Sequence, residues 1–149
     1  GQYNPHPVLD LIVPTLFNPS MAPEGKQILS ANIMYIPYQK KGGWSEEDKN
    51  ELTEKIIDTI SQYSTNIRDN ILHSELLTPL DLETEFNLTG GHWHHGELAL
   101  DQMLMMRPTY EAAQYRTPID KLYLCSAGCH PGGGIMGAAG YNAAKEIIK

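Results

Sequence analysis

The chain has 149 residues, the length of one ordinary domain. It is 41% hydrophobic and 19% charged, with eleven Lys and Arg against eighteen Asp and Glu, for a net charge of −7. No basic stripe gives a nucleic-acid role an electrostatic footing, and no apolar run approaches the roughly 18 residues of a membrane span.

The opening is polar and carries no signal-peptide pattern. Cys125 and Cys129 do not make a disulfide framework, which points to a reducing compartment, cytoplasmic or, in a eukaryote, mitochondrial. The sequence starts without an initiator methionine and runs almost directly into strand-like residues, so a piece of a longer protein is expected.

Residues 7–17 form a β-rich apolar run that Pro14 should break or confine to a sheet edge. A turn cluster follows over 18–25. Residues 27–38 read as a second strand, apolar on both faces and therefore central, able to pair antiparallel with the first. After a polar glycine loop comes the clearest helix. Ser45 is its N-cap candidate, Glu46, Glu47 and Asp48 fill the first turn, and Leu52, Ile56, Ile60 and Tyr63 mark a buried stripe.

Residues 67–77 predict a short helix or turn and then a strand. Thr78, Pro79 and Asp81 predict a further helix start. Residues 87–96 form a glycine- and histidine-rich loop, and the methionine-rich stretch 98–106 is expected to line a core or pocket. Residues 110–118 read as loop, and Leu122 to Cys125 as a short buried strand. The residues after Gly140 read as a helix. The fold class expected is α/β (α+β), with a mixed, largely antiparallel sheet and flanking helices.

The densest signal is the turn between that last strand and helix. Strand, glycine turn and helix together aim free backbone N–H groups at an anion or an electron-rich ligand edge. Glycine lets a ligand lie against the backbone where a Cβ would hold it off. Gly132, Gly134 and Gly137 make a literal G-x-G-x-x-G. A Rossmann unit also needs a second strand and an acidic residue about 20 positions on. The sequence ends at Lys149, so the turn is not expected to be an ADP-ribose grip.

His92, His94 and His95 are dense enough to be weak candidates for a metal, but their spacing is no helix ligand motif, and no metal is expected. Cys125 and Cys129 are spaced C-x-x-x-C, neither a redox C-x-x-C nor half of a zinc site. Cys125 is expected to be a buried strand residue. No G-x-S-x-G elbow is present.

Read together, residues 122–144 resemble the C-terminal flavin motif of the phytoene-desaturase-like FAD-dependent oxidoreductases. Shorter matches keep the same order: residues 21–26, Gly43 with Trp44, residues 78–83, 88–91, His95 with Gly96, residues 100–102, Arg107 with Pro108, and 115–118. The set runs from about Met21 to Ala144.

The resemblance implies the C-terminal part of a two-domain flavoprotein whose N-terminal Rossmann segment grips the ADP half of FAD. Residues 1–118 would then belong to the substrate domain and a flavin-facing loop, and residues 119–149 would be the last strand and helix of the FAD domain. It implies cofactor contacts from Gly128, His130, Pro131, Gly132, Gly133, Gly134, Ile135 and Met136, with Gly91, His95 and Gly96 near the ring and the substrate. A side chain on Gly133 is expected to enter the flavin's space.

The implied chemistry is flavin-mediated hydride transfer on an unidentified apolar substrate, with no catalytic acid or base assigned. His92, Trp93, His94, Cys129 and Tyr141 depart from the family pattern, which bears on the substrate. The implied partner is the N-terminal FAD-binding segment. Without it the fragment is expected to be inactive, to lack flavin, and to self-associate through residues 8–17 and 27–38. The alternative is an independent small-ligand or metal-binding module using the glycine turn or the histidines.

Overall fold

The longest element forms where the local signals are strongest. The computed structural model describes residue 4 and residues 6–97 and 99–149. In it, helix α1 (Glu46–Ser61) opens on a reciprocal capping box. The Asp48 N–H donates to Ser45 Oγ at 3.2 Å, and the Ser45 N–H donates to Asp48 Oδ2 at 3.1 Å. The ammonium of Lys40 donates to the same carboxylate. That bond, and then the one from the Ser45 backbone, hold the Asp48 carboxyl below its ordinary pKa.

Leu52, Ile56 and Ile60 recur at four-residue spacing and are buried, with Leu9, Ile33, Ile36, Trp44, Ile67 and Leu76 packed around them. Tyr63 does not join this stripe. The helix ends at Ser61, and Tyr63 lies beyond it, 88% exposed.

Two strands supply the other side of this core. Strand β1 (Val8–Ile12) pairs antiparallel with β2 (Ser30–Met34), Leu9 opposite Ile33. The expected pairing is present, but both strands are shorter than the sequence suggests. Pro14 starts a 3-10 turn (Pro14–Leu16), since it cannot donate to a ladder. Among the described residues the sheet has two strands, so β2 is not the central strand its two apolar faces predict. Ile28 and Leu29, outside the ladder, are partly exposed. After α2 (Ile67–Asn70), residues 71–77 form no strand.

The chain divides into two compact units, one ending at Thr78 and the other beginning at Pro79. The second opens with α3 (Pro79–Phe86), proline at its first position as expected. It closes with α4 (Ala138–Ile147), which begins before Gly140 rather than after it. Between them lie short 3-10 turns and loops.

Three expectations fail here. The methionine stretch forms turns at Leu100–Gln102 and Leu104–Met106, with Leu100 90% and Leu104 67% exposed, because such short turns present no continuous apolar face. Leu98, the first residue of that stretch, lies outside the described residues. The strand expected at 122–125 is reduced to one antiparallel bridge between Arg116 and Tyr123. Cys125 is exposed, and Cys129 is the buried cysteine, in a small core with Tyr115, Ala139 and Ala143.

Ser45→Ala should destabilise the fold by about 1 kcal/mol in denaturant titrations. Asp48 adds a pH signature. A carboxyl with a depressed folded pKa contributes stability that is intact above its ordinary value of 3.8 and is lost as pH falls through the folded pKa. The stability gap between wild type and Asp48→Asn should therefore be open at neutral pH and close as the pH falls below 3.8 and through the folded pKa.

Candidate functional site

The glycine turn meets the start of α4 around a cavity of about 160 Å³, lined by residues 125–127, 132–134 and 136–140. Its backbone explains its sequence. Gly132 (φ 109°) and Gly134 (φ 142°) hold conformations that L side chains rarely adopt. Gly137 is the N-cap of α4 at φ 64°, and no side chain caps the helix. The amides of Ala138, Ala139 and Gly140, all on the cavity wall, therefore carry the positive end of the helix dipole with no capping side chain.

Side chains that reach backbone fix this turn in place. The Tyr115 hydroxyl donates to the His130 carbonyl at 2.9 Å, and Asn142 Nδ2 donates to the Tyr115 oxygen at 2.9 Å. One buried phenol thus joins the turn to α4. Arg116 adds an exposed ion pair to Glu146 at 2.6 Å, and Lys149 a second at 2.5 Å. Hydrogen bonds from Lys149 and Arg116 keep the Glu146 carboxyl below its ordinary pKa.

The histidine-rich loop lies against the glycine turn. A Cβ placed on Gly133 would come within 2.8 Å of His94 Nδ1 and 3.3 Å of Ala127 Cβ. A Cβ on Gly128 would sit 3.9 Å from His95 Cβ. A side chain on Gly133 would thus meet His94 first. Arg107, 1% exposed, ties the same two loops. Its Nη2 donates to the carbonyls of His94 and, at 3.1 Å, Ala127, and its Nε reaches Ala127 O at 3.3 Å.

Among the cofactor candidates, Gly132, Gly133, Gly134 and Met136 line the cavity, whereas Gly128, His130, Pro131 and Ile135 do not, and Ile135 is fully exposed. Gly91 has an internal reason to be glycine. At φ 64° its Cβ would fall 2.1 Å from the Pro79 carbonyl oxygen. His95 is exposed, at φ 56°, next to Gly96 at φ 131°.

The rings of His92 and His94 are 5.8 Å apart, and His92 Nδ1 accepts from the His94 N–H at 3.3 Å. Among the described residues no three His, Cys, Asp or Glu side chains converge to hold a metal. Arg107, Tyr115 and Asn142 all fall in matched stretches of the sequence, but no role was expected of them. Their partners, the carbonyls of His94, Ala127 and His130 and the Tyr115 hydroxyl, are brought to them only by the folded chain.

The cavity wall is glycine-rich and includes the first residues of α4. His130 Nδ1 and Arg107 Nη1, on residues outside that lining, are buried without a protein partner among the described residues. Comparison with known sequences supplies the family context. The chain is homologous to pyridine nucleotide-disulfide oxidoreductase domain-containing protein 2. The mouse protein of that name is 41% identical over 145 residues, 96% of this chain and 25% of its own length.

More distant relatives are a limonene dehydrogenase polypeptide of Castellaniella defragrans, 28% identical over 97% of this chain and 27% of its own, and a lycopene-forming phytoene desaturase of a Paracoccus species, 26% identical over 85% and 25%. By name the relatives are oxidoreductases, dehydrogenases and desaturases. The chain spans about a quarter of the length of the curated relatives it matches. No family model matches it, and no solved structure does.

Gly91→Ala should cost more than about 2 kcal/mol, since strain and a backbone clash combine. Gly25 has a similar φ of 74° but nothing within 4 Å of a Cβ, so Gly25→Ala should cost only the conformational term, about 1 kcal/mol. Parallel denaturant titrations of the two variants check the difference.

Proposed function

We propose that this chain is the C-terminal, flavin-facing part of an FAD-dependent oxidoreductase of the phytoene-desaturase-like kind. The observation that carries the reading is the glycine-lined cavity at the uncapped start of α4. The homology to named oxidoreductases supports it. Residues 119–149 would be the last elements of the FAD domain and residues 1–118 part of the substrate domain. The ADP grip would lie in the remaining three-quarters of the relatives' length.

Bound at this cavity, the flavin would supply hydride transfer to or from a C–C or C–N bond. The chain's own residues would do the rest. Gly132, Gly133 and Gly134 would let the ring lie against backbone. The amides of Ala138, Ala139 and Gly140 would donate toward negative charge on it. His94, held on Gly133, would set the floor of the site beside Trp93 and His95. An apolar substrate agrees with relatives named for limonene and phytoene.

The remaining segment would also cover apolar side chains exposed here, among them Val8, Ile12 and Met34 on the two strands. Among the described residues no helix is long and apolar enough to cross a membrane.

Each charge-assisted hydrogen bond contributes about 1.5–3 kcal/mol, and about 1.4 kcal/mol is tenfold in affinity. Losing the ADP contacts should therefore weaken FAD binding by several factors of ten. The 149-residue chain alone should purify colourless and self-associate in light scattering, whereas the full-length protein should carry FAD. A full-length protein that stays colourless after reconstitution with FAD contradicts the proposal.

A further inference from the structure

Three arginines of this chain show how differently a guanidinium can be placed. Arg68 and Arg116 are exposed and paired with carboxylates, Glu54 and Asp58 for the first and Glu146 for the second. Arg107 is 1% exposed and bonds only to neutral carbonyls, those of His94 and Ala127. Its Nη1 is buried with no hydrogen-bond partner among the described residues. No carboxylate pairs with it among the described residues. A guanidinium is a permanent cation, so this unit buries a full positive charge that nothing in it neutralises.

The position of that charge is informative. Ala127 lines the cavity, and Arg107 Nη2 stands 3.1 Å from the Ala127 carbonyl oxygen. The charge is therefore one peptide group behind the cavity wall. Buried there, it is little screened by water or salt. A carbonyl pair would have held a neutral donor as well, so the clamp alone does not require the charge. An electron-accepting group in the cavity gains negative charge on reduction, and a fixed cation nearby stabilises that form over the oxidised one.

We propose that Arg107 is a positioning residue of the flavin-facing site, a buried cation behind the cavity wall that favours the reduced over the oxidised flavin. This rests on the flavoprotein reading above. It assigns Arg107 two roles at once: its bonds hold the His94 loop to the cavity wall, and its charge sets the redox poise of what the cavity holds.

The test is the flavin midpoint potential of the full-length protein, by equilibration with a reference dye, for Arg107→Gln and Arg107→Lys. Glutamine keeps an N–H donor and loses the charge; lysine keeps the charge. Arg107→Gln should weaken the preference for reduced over oxidised flavin roughly tenfold or more, a fall of about 30 mV for a two-electron couple. Arg107→Lys should stay close to wild type.

A wild-type potential in Arg107→Gln overturns the proposal, and so do equal shifts in both variants. If neither variant folds or retains flavin, Arg107 is a structural clamp only and the proposal fails. A wild-type protein without flavin sinks the underlying flavoprotein reading, and is seen before any variant is made.

Discussion

The carbonyls of His94 and Ala127 meet the buried guanidinium of Arg107, and the second unit depends on that meeting. Between α3 and α4 there is little regular structure to hold loops in register. Backbone ladders cannot do it, so side chains that reach backbone carbonyls take over. Arg107 joins the histidine-rich loop to the approach to the glycine turn. Tyr115, bonded to His130 and to Asn142, joins that turn to α4. Removing one partner of such a buried bond leaves the other unsatisfied, which costs more than the bond's net contribution.

With the loops fixed from behind, the front of the turn is left free. Gly132, Gly134 and Gly137 use positive φ to bring backbone, rather than side chains, to the cavity surface. Because the N-cap is glycine, no N-cap side chain occupies the first-turn amides of α4. An ordinary strand-to-helix connection would satisfy those amides itself. Leaving them open at a concave, glycine-lined surface is what a site for an anionic or electron-rich edge requires.

What could be read from the residues follows how local the physics is. The Ser45 N-cap of α1 and its stripe of Leu52, Ile56 and Ile60 are set by neighbours close in sequence, and the sequence alone predicts them; the reciprocal bond from Asp48 appears in the structure. The antiparallel pairing of β1 and β2 is legible for a different reason: the two apolar runs are consecutive in the chain, and consecutive strands commonly pair. Strand character at 122–125 is not decided locally. A strand exists only through its partner, and Tyr123 finds just Arg116. The burial of Cys129 rather than Cys125 follows from that loss. The glycine turn announces itself by composition. The partners of Arg107 lie in residues 13 and 20 positions away, which no periodicity could reveal. Glycine at 133 illustrates the remaining ambiguity of sequence. A Cβ there would meet His94, and the residue also lines the cavity, so packing and an open backbone face both call for a small residue.

The central claim is that the cavity at the start of α4 faces the flavin ring. A structure of the full-length protein with FAD bound tests it most directly. The ring is expected against Gly132, Gly133 and Gly134, with N–H groups of Ala138, Ala139 or Gly140 about 3 Å from its pyrimidine edge. A flavin bound elsewhere, with those amides turned to water or to protein acceptors, would contradict it.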